Sequence, residues 1–503
     1  MNLPRVALRR LESHVIRRGR CSGSLPASPQ LRLAFSRPQC SRQQPTPRTL
    51  RGYATVSAAE LEFGQPVHET HPHVLKPSEI TPGITAQEYA DRRANLASSL
   101  PENGVAILAA ADLKYRSGAV FFPFRQESNM LYLTGFLEPD SVAVIRRTGP
   151  THGDYAFHLF CRPKDPKAEQ WSGPWSGLQA ATDVFNADEA FDIASLPSVL
   201  PSLLRSATPI YADLHAANPH TPSIRAALPA AIRAPSPIQP LVNPLRAIKS
   251  PAEIATMRHA GRISGRALTA AMRRPWTLEK SLAAFLTHEF TQHGLDGPAY
   301  VPVVAGGPRG IMIHYVHNNA ALSPTSTVLV DAGGEYGAYI TDITRTWPVS
   351  GRFSPAQRDL YSAVLTVQRA CVSLCRANAG LSLDAIHRAA EDGLRHELTA
   401  LGFDLASGGR SLDVLFPHHV GHYVGLDVHD VPGYGRSIAL RKGHCVTVEP
   451  GVYVPDDERW PKHFRGLAVR IEDSVAVDEE GPHVLTTEAV KEVVDIEALR
   501  EDV

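Results

Sequence analysis

The sequence predicts an α/β protein with two folded domains behind a basic leader. At 503 residues the chain is about three times the size of a typical domain, so a single core is not expected. In its first half, apolar runs typical of strands alternate with turns and helical stretches, at 105–109, 130–134, 141–145 and 155–160. Five prolines between residues 229 and 244 then indicate a semi-rigid connection to a second domain.

The overall composition excludes several protein classes. Hydrophobic residues make up 43% of the chain and charged residues 20%, which is ordinary for a globular protein and excludes an intrinsically disordered one. No run of 18 apolar residues offers a membrane span. Six cysteines are too few and too scattered for a disulfide scaffold, so we expect reduced thiols.

The zero net charge hides an asymmetric leader. Residues 1–53 contain eleven arginines, no lysine and one acid, which is typical of a mitochondrial transit peptide and a matrix address. A disordered basic arm is the alternative. The sequence Arg51-Gly52-Tyr53-Ala54 predicts a mature chain that begins near Ala54, followed by an exposed linker over 54–80. Outside the leader, 40 basic and 50 acidic residues remain of the 51 of each, which argues against a nucleic-acid surface.

Two helix starts mark the beginnings of the two domains. Thr85 followed by Glu88 has the spacing of a capping box, and we expect a helix from there to Leu100 that opens a first domain over 81–245. Ser250-Pro251-Ala252-Glu253 combines an N-cap serine, proline at N1 and glutamate at N3. The second domain is therefore predicted over 246–503.

Several common catalytic patterns are absent from the sequence. There is no G-x-S-x-G pentad and no glycine pattern of a Rossmann or P-loop site. His288 and His293 are five residues apart, about 140° around a helix, and so cannot chelate one ion as an i, i+4 pair does. Cys371 and Cys375 share one helix face, a spacing that more often reflects packing than redox chemistry.

Two aspartates flank a predicted hairpin at 326–347. If its turn centres on Tyr336-Gly337, Asp331 and Asp342 lie opposite one another with Cβ atoms about 5 Å apart. Two carboxylates at that distance repel unless a cation lies between them. The alternative is that both aspartates lie in solvent at the ends of the hairpin.

A histidine-rich segment follows at 417–430. It contains His418, His419, His422 and His429, separated by glycines and apolar residues that suggest partial burial. One neutral imidazole is a good transition-metal ligand, and the others could contact a substrate or polarise its carbonyl. A histidine-rich surface loop is the alternative.

Two more acids lie in apolar, strand-like runs. Glu449 follows Val446-Thr447-Val448, and Glu472 lies in the run 467–473, where burial is costly unless the charge is paired or coordinated. A salt bridge from Arg470 to Glu472 is the structural alternative. Four carboxylates and one histidine suit two divalent ions, and oxygen-rich ligation favours manganese, with cobalt or zinc able to substitute.

The order and local sequence context of these aspartates, histidines and glutamates resemble those of the pita-bread metallopeptidases. This family includes aminopeptidase P, prolidase and methionine aminopeptidase. The resemblance implies a ligand set of Asp331, Asp342, His422, Glu449 and Glu472. It also implies roles near the substrate or the ligands for His314, His418, His429, Tyr453 and Arg470. It covers about residues 80–503 and implies a ribonuclease-H-like first domain and a pita-bread catalytic domain.

Segments 124–129 and 132–139 are similar to the N-terminal domain of aminopeptidase P, and 418–430 with 464–470 most resembles its mitochondrial group. Pro432 departs from the glycine of many relatives, which leaves the shape of the substrate loop open.

The function implied is that of a mitochondrial metalloaminopeptidase that removes one N-terminal residue from peptides or proteins. The residue removed would precede proline, or would be a bulky residue on a presequence-processed intermediate. Two metal ions would share a bridging hydroxide. Glu449 would be proton shuttle and ligand, and His429 or His314 would stabilise the oxyanion.

Other readings stay open. A prolidase-type dipeptidase and a non-catalytic pita-bread binding module are the rivals to an aminopeptidase. The loop Trp171–Trp175 is either a contact in a homo-oligomer or a plain surface loop.

Overall fold

The computed structural model describes residues 62–405 and 411–500. The predicted transit peptide, the junction before Ala54 and the linker up to residue 61 lie outside the described residues. Within the described ranges, no helix combines the length and apolar character needed to cross a bilayer.

The first domain is built around a five-stranded sheet. Its strands and helices, in chain order, are β1 Glu79–Thr81, β2 Ile84–Thr85, α1 Ala86–Ser99, β3 Val105–Ala109, β4 Tyr115–Ser117, β5 Val120–Phe121, α2 Ser128–Thr134, β6 Val142–Arg147, β7 Tyr155–Cys161, α3 Pro166–Ser172, α4 Gly177–Asp183, β8 Glu189–Asp192, α5 Leu196–Leu203, β9 Ile210–Ala212, α6 Thr221–Ala226 and α7 Gln239–Ala247. The strand order is β8-β7-β6-β3-β9, with antiparallel pairing in the centre and parallel pairing of the outer strands. Helices pack their apolar side chains on both faces of this sheet, as expected for an α/β domain.

Most of the predicted elements of this domain are confirmed. The runs at 105–109, 141–145 and 155–160 form β3, β6 and β7, and α1 begins after Thr85, whose hydroxyl accepts from the Glu88 amide. The strand predicted at 130–134 is wrong, because these residues form α2. The Glu127 side chain caps this helix by accepting from the Met130 amide, and Gly135 ends it in the left-handed conformation with φ 69°.

Two connecting segments are more ordered than predicted. The described part of the predicted linker, 62–80, is not exposed as expected: Val67 and Leu75 are buried. The Gln65 side chain donates to the Gly135 carbonyl at 2.9 Å. These contacts hold the segment against the first domain. Likewise, part of the proline-rich connection forms helix α7, which carries proline in its first turn.

The second domain combines long helices with small antiparallel sheets. Its elements are α8 Pro251–Met272, α9 Glu279–Gln292, β10 Gly297–Pro298, β11 Val303–Gly306, β12 Thr327–Asp331, β13 Gly334–Tyr336, β14 Tyr339–Ile340, β15 Thr344–Pro348, α10 Pro355–Leu374, α11 Leu383–Ala400, α12 Ser411–Leu415, β16 Cys445–Val448, β17 Gly451–Tyr453, β18 Ala468–Arg470, β19 Asp473–Val477, β20 Pro482–Val484 and α13 Val493–Ala498. The strands form the sheets β11-β12-β15, β10-β13-β14, β16-β19-β20 and β17-β18. The capping box at Ser250 and Glu253 that starts α8 is confirmed.

The register predicted for the aspartate hairpin is wrong. The turn between β13 and β14 consists of Gly337 and Ala338, with φ of 56° and 68°, which matches a type I′ turn centred one residue later than predicted. In the ladder of β12 and β15, Asp331 consequently pairs with Thr344 and not with Asp342.

The cysteines within the described ranges are buried and free of disulfides; they are Cys161, Cys371, Cys375 and Cys445. Cys371 on α10 and Cys375, which directly follows this helix, thus pack in the interior. His288 and His293 are exposed on and just after α9.

Candidate metal centre

Five predicted ligand side chains meet in one place in the second domain. Ligand atoms of Asp342, His422 and Glu472 lie within 4.8 Å of one another. The Tyr300 hydroxyl joins Asp331 to this group, at 2.6 Å from Asp331 Oδ1 and 2.7 Å from Asp342 Oδ1. Glu449 Oε1 lies 3.5 Å from His422 Nε2. The residues therefore do not point to separate regions, although their roles stay predictions.

The ends of several strands bring the acids together. Asp331 ends β12, Asp342 follows β14, and Glu449 directly follows β16. Glu472 directly precedes β19, and since β16 and β19 are antiparallel, Glu449 and Glu472 lie at the same end of this strand pair. Antiparallel pairing thus converts a separation of 23 residues along the chain into proximity in space.

Two glycines permit the close approach of these segments. A Cβ on Gly333 would lie 1.7 Å from the Thr341 carbonyl oxygen, and a Cβ on Gly421 would lie 1.9 Å from that of Thr447. Any other residue at either position would force the backbones apart. Gly333 lies between the two aspartates, and Gly421 directly precedes His422, so both glycines help to bring ligands together.

His422 is oriented with one ring nitrogen towards the acids. Its Nδ1–H donates to the Tyr423 carbonyl at 3.0 Å, which directs Nε2 towards Asp342 Oδ2 at 3.3 Å. Burial opposes a charge on this ring, but the hydrogen bond to Asp342 and the charge of Glu449 outweigh it and raise the His422 pKa to about 9. The same contact lowers the pKa of Asp342 although burial raises it. A neutral imidazole held by a backbone carbonyl is the usual tautomer of a metal ligand.

The carboxylates carry more negative charge than the neighbouring cations balance. Burial and then the charges of the other acids raise the pKa of Glu472 well above its usual value. Burial raises the Glu449 pKa to about 7 and also raises that of Asp331. Crowded, buried oxygens with one imidazole are the donor set that divalent ions prefer, so the residues present fit divalent metal binding.

Tyr300 was missed by the sequence analysis. A hydroxyl has one proton and donates to one of the two carboxylates at a time, so it lies as a shared donor between them. Burial raises the pKa of Asp331, and the hydrogen bond from Tyr300 lowers it in part. No motif around Tyr300 signals this role, because only the pairing of β10 with β13 brings its segment to the aspartates.

Arg470 links Asp331 to a chain of polar groups. Its guanidinium donates to Asp331 Oδ2 at 2.6 Å, to the Tyr453 hydroxyl at 2.8 Å and to Thr344 Oγ1 at 3.0 Å. The alternative of an Arg470–Glu472 salt bridge is therefore wrong; Glu472 accepts from the Thr344 hydroxyl at 2.6 Å.

This chain continues to His418. The His418 Nδ1–H donates to the His419 carbonyl at 2.9 Å, so its Nε2 accepts from the Tyr453 hydroxyl at 2.8 Å. Burial, followed by the charge of Arg470, lowers the His418 pKa to about 4 and keeps the ring neutral. His418 Nδ1 lies 3.9 Å from Glu449 Oε2.

His429 and His314 lie at the exposed side of the cluster. The His429 ring packs edge-on against His422, with 4.4 Å between ring centroids. Burial and then the charge of His422 lower the His429 pKa, and His314 acts in the same direction. His314 is exposed on the loop between β11 and β12. The structure thus places His429 beside the ligand His422, with His314 close enough to act on His429, and leaves both imidazoles exposed.

Comparison with known proteins identifies both domains. The profile of metallopeptidase family M24 matches residues 255–479, and that of the aminopeptidase P N-terminal domain matches residues 89–211. Intermediate cleaving peptidase 55 from Saccharomyces cerevisiae is 43% identical over 452 residues, which cover 87% of this chain and 88% of that protein. Xaa-Pro aminopeptidase 3 from Mus musculus is 38% identical, with 87% and 90% covered.

An Arabidopsis thaliana relative, named intermediate cleaving peptidase 55, mitochondrial, is 34% identical, with 89% of each chain covered. Among solved structures, Icp55 from Saccharomyces cerevisiae matches with a TM-score of 0.80 and 41% identity, over 84% of this chain and 99% of that one. The predicted pair of domains, with a pita-bread second domain, is confirmed. The chain belongs to metallopeptidase family M24, in the branch with an aminopeptidase P N-terminal domain, and is a metalloaminopeptidase that takes divalent metal ions and peptide substrates.

Proposed function

We propose that this protein is a mitochondrial matrix aminopeptidase that removes one bulky N-terminal residue from presequence-processed proteins, with two Mn²⁺ ions. The observation that carries this proposal is the meeting of four carboxylates and one imidazole at the strand ends described above. Similarity to two intermediate cleaving peptidases supports the substrate class. Similarity to an Xaa-Pro aminopeptidase supports cleavage before proline as the second candidate.

The ligand set is proposed to be Asp331, Asp342, His422, Glu449 and Glu472. Bound ions would supply Lewis acidity, which lowers the pKa of water and polarises a peptide carbonyl. Glu449 accepts the proton of the attacking water and returns it to the leaving amine.

The surrounding histidines bind the reacting carbonyl. His429 is neutral near pH 7 because burial and His422 lower its pKa, so its ring N–H can donate to the developing oxyanion, with His314 beside it. His418 is oriented by Tyr453, which Arg470 holds in turn.

The domain limits and the mitochondrial address complete the proposal. The transit peptide spans 1–53, the linker 54–80, the aminopeptidase P domain 81–245 and the catalytic domain 246–503. Both family matches fall inside the last two limits, and the arginine-rich leader supports import. N-terminal sequencing of the protein from mitochondria should begin at Ala54; a sequence that starts at Met1 would contradict the leader assignment.

Peptide assays test the activity and separate the candidates. The purified protein should release tyrosine from Tyr-Ala-Ala, lose this activity after exhaustive chelation and regain it most fully with Mn²⁺, compared with Co²⁺ and Zn²⁺. Faster cleavage of Tyr-Pro-Ala would favour the Xaa-Pro aminopeptidase. Cleavage of the dipeptide Tyr-Pro alone would indicate a prolidase, and fewer than one bound ion per protein would indicate a binding module.

We also propose a homo-oligomer with contacts at the loop Trp171–Trp175. The Trp171 side chain is exposed, and the Arg162 guanidinium lies 4.2 Å from the Trp175 ring centroid. Sedimentation should show a dimer or larger assembly that Trp171→Ala weakens; a monomer at all concentrations would contradict it.

A further inference from the structure

The first domain reaches the catalytic domain through the side chain of Arg125. This residue precedes α2, and its side chain is 37% exposed. Its Nε donates to Glu335 Oε2 at 3.1 Å. Its Nη2 donates to the carbonyl oxygens of Ala338 and Leu426. One guanidinium thus holds two separate segments of the second domain.

Both segments are directly connected in the chain to residues of the metal centre. Glu335 and Ala338 belong to the β13–β14 hairpin, which lies between Asp331 and Asp342 in the chain. Leu426 lies between His422 and His429. A backbone hydrogen bond from the Ile340 amide to the Gly425 carbonyl, 2.9 Å long, joins the same two segments. Arg125, which belongs to the first domain, donates hydrogen bonds to both of these segments.

Asp427, two residues before His429, is held by the first domain as well. The Ser128 hydroxyl donates to Asp427 Oδ1 at 2.7 Å, and Arg125 Nη1 lies 3.8 Å from the same oxygen. Arg246 donates to the second oxygen, Oδ2, at 2.7 Å. Since His429 is exposed and touches His422 by its ring edge, its position depends on the backbone of this short segment.

We propose that Arg125 is a positioning residue for the peptidase: by joining the β13–β14 hairpin to segment 426–430, it holds His429 against His422 for the reaction. This inference rests on the proposed function through the role of His429. The first domain then takes part in catalysis without touching the substrate. Because the Arg125 side chain is partly exposed, its removal should leave the protein folded.

Kinetics on Tyr-Ala-Ala test the proposal in the mature, Mn²⁺-loaded protein. We expect Arg125→Ala to lower kcat about tenfold with little change in KM, because a small displacement of a catalytic group is costly. Arg125→Lys, which keeps the charge and can reach one acceptor, should restore part of the loss. In a His429→Ala background, Arg125→Ala should change kcat by less than about twofold. An equal loss of kcat on Arg125→Ala in the wild-type and the His429→Ala protein would overturn the proposal.

Amide hydrogen exchange gives a second readout that does not depend on activity. Arg125→Ala should speed exchange at Ile340 and across 422–430, and leave the central strands β3 and β6 unchanged. Arg116→Ala, which changes an exposed arginine of the same domain, is the matched control and should alter neither kinetics nor exchange. Unchanged exchange at Ile340 would overturn the proposal. An inactive wild-type protein would instead contradict the proposed function, while the exchange experiment would still test the junction.

Discussion

Glu472 and Asp473 are adjacent in the chain and both about 1% exposed, yet their environments act on them in opposite directions. Asp473 accepts from Arg345 at 2.7 Å and from Lys491 at 2.6 Å, and these cations hold its pKa well below the usual range despite burial. Burial and the charges of three other acids raise the pKa of Glu472 well above its usual value. Arg470, the nearby cation, lowers it only in part.

The difference shows that burial alone does not decide the state of a carboxylate. The protein supplies two cations at Asp473, so that acid ties the C-terminal segment to the core as a structural ion pair. At Glu472 the balancing charge is incomplete, and four acids share one imidazolium and one guanidinium. A strongly raised pKa in a cleft is a mark of a functional site, and here it coincides with the donor set of a divalent metal.

The largest expected effect is on catalysis through Glu449. Glu449→Gln should lower kcat for Tyr-Ala-Ala by about 10²–10⁴-fold, because glutamine cannot accept the proton of the attacking water. In chelated protein the same change should leave the melting temperature within a few degrees, since glutamine resembles the protonated carboxyl that burial favours.

Glu479→Gln provides the matched control for that experiment. Glu479 is an exposed glutamate of the same domain, and its substitution should leave turnover unchanged. Near wild-type turnover in Glu449→Gln would contradict the assignment of Glu449 as proton acceptor.

The next largest effect is on stability and tests the comparison directly. Asp473→Asn should lower the free energy of unfolding by about 3–5 kcal/mol, because it leaves Arg345 and Lys491 without their buried partner. Glu472→Gln in chelated protein should instead leave stability unchanged or raise it, because glutamine is neutral without the proton that the buried, crowded carboxyl must take up on folding. Urea denaturation of both variants with a chelator present measures the two values. Equal losses in the two variants would show that Glu472 is also a structural ion-pair partner.

The sequence could predict those site residues that their neighbours in the chain mark out, and not those that only contacts between distant segments bring to the site. Glu449 and Glu472 can be recognised in the sequence as acids within apolar runs, where burial of a charge is costly unless the charge is paired or coordinated. The hairpin register was missed because a type I′ turn placed Gly337 and Ala338 at its centre, and a shift of one residue changes every partner in the ladder. Tyr300 and Arg125 could not be found, because their contacts join segments far apart in sequence.

A similar limit applies to the described part of the predicted linker. Its burial rests on Val67 and Leu75, two apolar residues without helical or strand periodicity, and on the three hydrogen bonds of the Gln65 side-chain amide. Aperiodic polar sequence is typical of an exposed linker. Only the presence of a surface on which it packs distinguishes a buried segment of this kind from such a linker.

The pH dependence of stability should also distinguish acids of the metal centre, such as Glu449, from the structural ion-pair partner Asp473. In chelated protein the folded state binds a proton at Glu449 up to a pKa of about 7, and the unfolded chain only up to about 4.5. Stability should therefore fall as pH rises through this window, by up to about 3 kcal/mol. Asp473, whose pKa is lowered, contributes stability at all pH values above about 4 and loses it only in more acidic solution.

Urea denaturation between pH 5 and 8 measures this slope. Glu449→Gln should make it less steep, because only Glu472 and His422, whose pKa values are also raised, would then contribute. Glu102→Gln, at an exposed position of the first domain, should leave it as in the wild type. A slope that is the same in both variants would assign the proton uptake to another acid of the cluster.

The smallest effect we expect concerns the Tyr300 hydroxyl, which lies against Asp331 and Asp342. Tyr300→Phe removes the donor that holds the two carboxylates together, so their repulsion should separate them and lower Mn²⁺ affinity about tenfold. Calorimetric titration of chelated protein measures this loss. Tyr336→Phe is the matched control, because Tyr336 lies on β13 and packs its ring against His259. Equal Mn²⁺ affinity in the wild type and Tyr300→Phe would mean that the backbone alone, through Gly333 and its neighbours, fixes the distance between the acids.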